Sequence, residues 1–330
     1  MFDVVYGRQR PEMELQMTRH RSFRLIFVFV LCLLGTPLQP CPRMTRAAEP
    51  DTVRVTDFLP NGYVTDGSVC YQTAIQKAMD QAAARHQHLT FPPMIYRIDD
   101  PAGLRLQSGT TLSLHGAVLR VSASAESDGQ VFLGQDVTDV TIRGGEIAGQ
   151  RDSWPDSVNI SAIRIRGRSA RIRVRDTYVH DMSSNAVGVF GTADQPITHV
   201  WVRGLLAQRC CNKYTDYLLP NQGPAKGSSR MDQGVVALYY VHNFVVDNLF
   251  DTTAKQGAAI RVQPKVADII IENNTFRGAV RQVIVQGHDP DVVHVVVKNN
   301  DGVEENRRSA HRTVRPHASS PAVEKTNNVP

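Results

Sequence analysis

The sequence predicts an all-β chain wound as a single-stranded parallel β-helix, a solenoid with a helical cap at its N-terminal end, and three features support this. Between Gln233 and Asn300 a short pattern recurs almost three times. One apolar run (234 to 239, 257 to 262, 281 to 287) precedes a second (244 to 250, 269 to 276, 292 to 300). Asn248, Asn274 and Asn300 stand 26 residues apart, and one stretch, Thr73 to Ala84, is clearly helical. Strand-rich units of this length cannot bury their own apolar face and must stack on neighbours. Coils then lie about 4.8 Å apart, and equivalent residues form ladders. A β-sandwich would explain the strands but not a ladder of asparagines.

Taken from the N-terminus, Leu25 to Leu34 is an apolar run behind Arg19, Arg21 and Arg24. Ten apolar residues are too few to span a bilayer comfortably and suit the core of a signal peptide. Residues 1 to 48 are therefore expected to be a signal peptide cleaved near Ala47-Ala48, giving a secreted or periplasmic protein that meets membrane only if this segment stays uncleaved. The formal charge of +5 belongs to the ends: residues 1 to 48 carry 7 basic and 3 acidic residues, and 303 to 330 carry 5 and 3. The body between them has a net charge of −1, so the basic balance is no argument for nucleic acid. Once the leader is removed, Cys70, Cys210 and Cys211 remain, which is no disulfide framework and no zinc spacing. They read as buried thiols.

Val53 to Phe58 reads as a short strand, and Asn61-Gly62 and Asp66-Gly67 as turns. Apolar positions 74, 75, 78, 79, 82 and 83 give Thr73 to Ala84 one apolar face, suited to covering the open edge of the first coil. Val55-Thr-Asp-Phe58, Thr65-Asp-Gly67, Thr73 to Ala78 and Leu89 to Ile98 resemble the opening of the pectate-lyase-like superfamily. The resemblance continues through Leu104 to Leu112, Gly116 to Leu119 and Val140 to Gly149, departing at Met94, where such sequences usually place a Gly. It implies a right-handed parallel β-helix over 49 to 302 and a carbohydrate substrate, with calcium the only cofactor it suggests. Such openings precede lyases, hydrolases, epimerases, tailspikes and proteins without known chemistry. Further coil strands are expected at 130 to 134, 161 to 166, 186 to 190, 235 to 240, 258 to 263 and 282 to 286. The Gln208 to Asp232 interval reads as a long loop, and 303 to 330 as a disordered tail.

Aligning the apolar pairs Ile163/Ile165, Val187/Val189, Val236/Leu238, Ile260/Val262 and Val283/Val285 sends the intervening residues outward. One outward row is Arg164, Gly188, Ala237, Arg261, Ile284; the next is Arg166, Phe190, Tyr239, Gln263, Gln286. Aromatic faces and guanidinium forks suit a groove for an acidic polysaccharide. The expected catalytic groups are Arg261, Lys255 and Tyr239. The expected binding groups are Arg164, Arg166, Phe190, Gln263, Arg230 and Asp232. Where the resemblance would place the carboxylates of polygalacturonase-like hydrolases, the chain has Asn159-Ile-Ser161, Ser184-Asn185 and Gln233-Gly234-Val235, and only Arg261 survives. A glycoside hydrolase needs two carboxylates. A lyase-like enzyme or binder of a uronate polymer fits better; a non-catalytic glycan-binding scaffold and a hydrolase with acids relocated to Asp152, Asp156, Asp181, Asp216 or Asp232 are the alternatives. No metal site is assigned, since no dense Asp cluster appears, and the oligomeric state is left open.

Overall fold

The computed structural model describes residues 52–155, 158–211, 234–251, 258–263, 265–277, 281–285, 292–302 and 323–326. They form a right-handed parallel β-helix of three sheets with ten, nine and seven strands. Every strand pair is parallel and joins residues one coil apart. A coil runs, for example, from Gly129–Gln135 in the seven-stranded sheet to Thr138–Arg143 in the ten-stranded and Glu146–Ala148 in the nine-stranded sheet. It then returns to Ile160–Arg166, the next strand of the first of these sheets. The remaining strands of the seven-stranded sheet are Val187–Phe190, Gly234–Tyr239, Ala258–Val262 and Arg281–Val285, within two residues of the expected positions, and Leu104–Arg105, which was not among the expected strands.

Strand alternation builds the core. Ile163, Val187, Val236 and Ile260 stack in register and are fully buried, as are Ile172, Val200, Phe244 and Ile269 in the ten-stranded sheet. The corner from the ten- to the nine-stranded sheet is equally regular. Gly144, Asp176, Gly204, Asn248, Asn273 and Asn299 all adopt φ between 52° and 71°, a region that Gly, Asn and Asp tolerate best. After all of these but Gly144 the next residue turns inward: Thr177, Leu205, Leu249, Asn274 and Asn300 are buried. Asn248 therefore does not belong to the asparagine ladder, although it stands 26 residues before Asn274. Its coil is one residue shorter, so Leu249, 25 residues before Asn274, occupies the inward position.

The helix Gln72–Ala84 caps the first coil as expected, with Ile75, Ala78, Met79 and Ala82 facing the core. Its glutamines satisfy the open strand edge. Gln72 Oε1 accepts from the backbone N–H groups of Asp99 and Asp100 (3.1 and 2.9 Å), and Gln76 bonds both the N–H and C=O of Arg105 (2.7 and 3.0 Å). Gln72→Ala strands two amides and should cost about 1 to 3 kcal/mol, read as a lower urea midpoint with faster hydrogen exchange at Asp99 and Asp100. An unchanged midpoint and unchanged exchange would leave capping to the apolar face alone.

Two expected elements change. Only Thr52–Arg54 of the 53 to 58 run is strand, because Val55–Phe58 closes into a 3-10 turn whose Asp57 carboxylate accepts from the Arg54 N–H (3.3 Å). Val323–Thr326, placed in the disordered tail, is instead a strand pairing in parallel with Val295–Lys298, since the last full coil offers an open edge to any short extended segment. The rest of 303 to 330 and all of 1 to 48 lie outside the described residues.

Candidate functional site

The outward rows of the seven-stranded sheet stand in the expected register. Arg164 pairs with Leu133 and Gly188, Gly188 with Ala237, Ala237 with Arg261, and Arg261 with Ile284. The neighbouring row brings Arg166, Phe190 and Tyr239 together, and Gln263 follows the next strand with its N–H on the Leu238 carbonyl (2.9 Å). Lys255, Arg230, Asp232 and Gln286 lie outside the described residues.

Three side chains make a continuous floor. The Phe190 ring lies 5.2 Å from the Tyr239 ring, and the Arg164 guanidinium stands 5.6 Å from the Phe190 centroid. Gly188 makes room for this: a Cβ there would meet the Phe190 ring at 2.5 Å. Arg164 is half-buried, and its Nε has no hydrogen-bond partner. Removal from water pulls its guanidinium below the ordinary range; the Arg166 charge acts the same way, and Asp128 opposes them. The result is a cation short of compensation beside an aromatic face. Arg261 is 5% exposed although strand alternation turns it away from the core, so its side chain is covered rather than presented on an open sheet.

A second group of charged residues occupies the corner leading into these strands, and most of it was invisible in the sequence. His180 Nδ1 meets Asp181 Oδ2 at 2.7 Å and its Nε2 meets Glu146 Oε1 at 3.1 Å, while the ring stacks on Tyr178. Arg209 bonds Asp181 through Nε (2.6 Å) and also grips Asp152. The buried Arg151 donates to the carbonyls of Arg209 and Cys211 (3.0 and 3.2 Å). Glu146, Arg151 and Arg209 carry no local motif. The signal that would find them is coil register: Ala148, His180 and Gln208 pair directly, so residues just after them share one corner.

This network argues against relocated hydrolase acids. Asp152 and Asp181 are the described candidates, and both are held by Arg209. Desolvation would raise the Asp152 carboxyl, but the Arg209 hydrogen bond and charge, with Arg151, outweigh it and hold it below its usual value. A general acid needs the opposite shift. Among the described residues no group of three or more His, Cys, Asp or Glu could hold a metal ion. Cys210 and Cys211 are buried thiols that donate to backbone carbonyls, Cys70 is partly buried, and none of the three is in a disulfide.

Fold and outward face together define a right-handed parallel β-helix with an aromatic and arginine-lined lateral surface. No protein-family model matches the chain, and no curated protein does. Among solved structures it is similar to the tailspike protein of E. coli bacteriophage HK620 in complex with a pentasaccharide, with a TM-score of 0.61 and 15% identity over 84% of this chain and 50% of the tailspike chain. It is also similar to iota-carrageenase complexed to iota-carrageenan fragments, with a TM-score of 0.54 and 11% identity over 76% of this chain and 55% of that one. PfbA, a surface adhesin of Streptococcus pneumoniae, gives 0.50 and 14% over 76% and 71%. At these identities the likeness shows the fold. The chain spans about half the length of the tailspike chain it matches.

Proposed function

We propose that this protein is a carbohydrate-active β-helix that holds an acidic polysaccharide, a uronate polymer, across the outward face of its seven-stranded sheet. The carrying observation is Arg164: a half-buried, undercompensated guanidinium with a free Nε, set against the Phe190 and Tyr239 rings. A carboxylate brought to the accessible part of this guanidinium supplies the missing charge, and a sugar ring supplies apolar surface for the aromatic pair. The tailspike and carrageenase structures, solved with saccharide ligands, support this class of partner. The opening motif supports a place beside the pectate-lyase-like helices.

Lyase-like turnover is the catalytic form of this proposal. β-Elimination needs a base for the proton beside the uronate carboxylate, cations to neutralise the enolate-like charge, and a proton for the departing glycosidic oxygen. It does not need the second carboxylate that a hydrolase requires. Arg164 and Arg261 are the cations of this face and Tyr239 the proton carrier beside them. A non-catalytic glycan binder uses the same face without the proton transfer. Incubation with a panel of uronate polymers should give rising ultraviolet absorbance from unsaturated chain ends. Binding without absorbance or new reducing ends would leave the adhesin-like role, and reducing ends without absorbance would overturn elimination in favour of hydrolysis.

A further inference from the structure

One coil carries an unusual concentration of arginine. Arg164, Arg166, Arg168, Arg171, Arg173 and Arg175 fall within twelve residues that contain no carboxylate. The first two belong to the seven-stranded face. The last three belong to a different sheet: along Ala170–Arg175, Ile172 and Val174 point into the core, so Arg173 and Arg175 point out of the ten-stranded sheet, and Arg171 stands exposed beside them. Parallel pairing then places Arg143 on one side of Arg175 and Arg203 on the other. Three arginines thus stand in register on successive coils, about 4.8 Å apart.

The compensation of these charges is incomplete. Arg171 pairs with Asp139 (2.6 Å) and Arg203 with Asp247 (3.0 Å). Arg143, Arg173 and Arg175 form no ion pair with any described residue. Arg173 lies over the Trp201 ring at 4.8 Å, which fixes its guanidinium plane while leaving its N–H groups available. Like charges directly opposite on adjacent strands destabilise a sheet. A body with a net charge of −1 gains nothing in solubility by gathering its cations on one strip. A ligand with anionic groups repeated every few ångströms would relieve the repulsion and occupy the planar forks.

We propose that the outward face of the ten-stranded sheet, centred on Arg143, Arg173, Arg175 and Arg203, is a second polyanion-binding surface for a linear acidic polysaccharide, separate from the seven-stranded face. A flat ladder one strand wide suits an extended chain of sulfates or carboxylates. It has no projecting element to enter a nucleic-acid groove.

The test uses the full chain, heparin as the probe, and the Arg143→Gln/Arg175→Gln double variant. Affinity for heparin should fall about tenfold or more near 0.1 M salt, and the slope of log K against log salt should shrink by roughly 0.7 to 0.9 for each arginine removed. The melting temperature should stay level or rise, because two like charges leave the ladder; a fall would show that the arginines stabilise the fold and would count against the site. Binding of a short oligouronate should not change in the double variant, and Arg120→Gln, which removes an exposed charge from the nine-stranded sheet, should leave the heparin slope intact. Heparin affinity and slope unchanged in the double variant would overturn the proposal. So would an equal loss of heparin in Arg120→Gln, which would mean that any exposed arginine serves, or tighter binding of duplex DNA or phosphatidylserine vesicles than of heparin. If wild type ignores oligouronates yet loses heparin on the double substitution, the groove assignment fails and this one stands.

Discussion

Arg164→Ala should weaken binding of a short oligouronate by about 10- to 150-fold, the equivalent of the 1.5 to 3 kcal/mol that a hydrogen bond to a charged group commonly contributes. The side chain combines three conditions that raise the effect: partial burial, contact with the Phe190 ring, and an Nε without a protein partner. Water screens such a cation poorly, so a carboxylate brought against it gains more than at an open surface. Stability should move the other way. Removing a half-buried charge that lacks full compensation is neutral or mildly stabilising, so the loss of binding will not be a folding defect. Arg164→Lys keeps the charge but loses the planar fork and the stack, and should recover only part of the affinity. Arg120→Ala, exposed on the nine-stranded sheet, is the control and should leave binding unchanged. Equal affinities for wild type, Arg164→Ala and Arg120→Ala, measured by calorimetry on oligouronates of defined length, would remove this face from function.

The parts of the fold that the sequence made legible are those governed by strand alternation. Ile163/Ile165, Val187/Val189 and Val236/Leu238 could be aligned by eye because each inward residue sits two positions from the next, and alternation then fixed where Arg164, Phe190, Tyr239 and Arg261 point. Counting along the chain was less safe than matching strands. One coil is a residue shorter, so Asn248 fell on the left-handed corner and Leu249 on the inward step. Val323–Thr326 was missed because four polar-rich residues have no strand signature of their own and acquire one only from the open edge of the last coil. The cluster of Glu146, His180, Asp181, Arg209 and Asp152 was illegible for another reason. Its members run from Glu146 to Arg209 along the chain, and only the stacking of three coils brings them to one corner.

Asn274→Leu tests that stacking where the chain spends a buried polar side chain on it. Asn274 Oδ1 accepts from the Leu249 N–H (2.8 Å), and its Nδ2 donates to the Val246 carbonyl (3.2 Å) and to Asn300 Oδ1 (2.9 Å). Asn300 repeats the arrangement one coil on: its Oδ1 accepts from the Asn274 N–H (3.0 Å) and its Nδ2 donates to the Ile271 carbonyl (3.0 Å). Each asparagine therefore satisfies backbone groups of the coil before it that the left-handed corner leaves without a ladder partner. Leu249, at the equivalent position, shows that leucine fits the corner sterically, so the substitution tests hydrogen bonding rather than space. It orphans the Leu249 amide and the Val246 carbonyl, and the added apolar burial offsets only part of that, for a net cost of about 2 to 4 kcal/mol. In a solenoid each coil contacts only its neighbours, so the damage should stay local. Hydrogen exchange should accelerate at Leu249 and its coil and hardly at all near the cap at Asp99. Unchanged exchange at Leu249, or equal acceleration along the whole molecule, would mean that these asparagines do not join the coils.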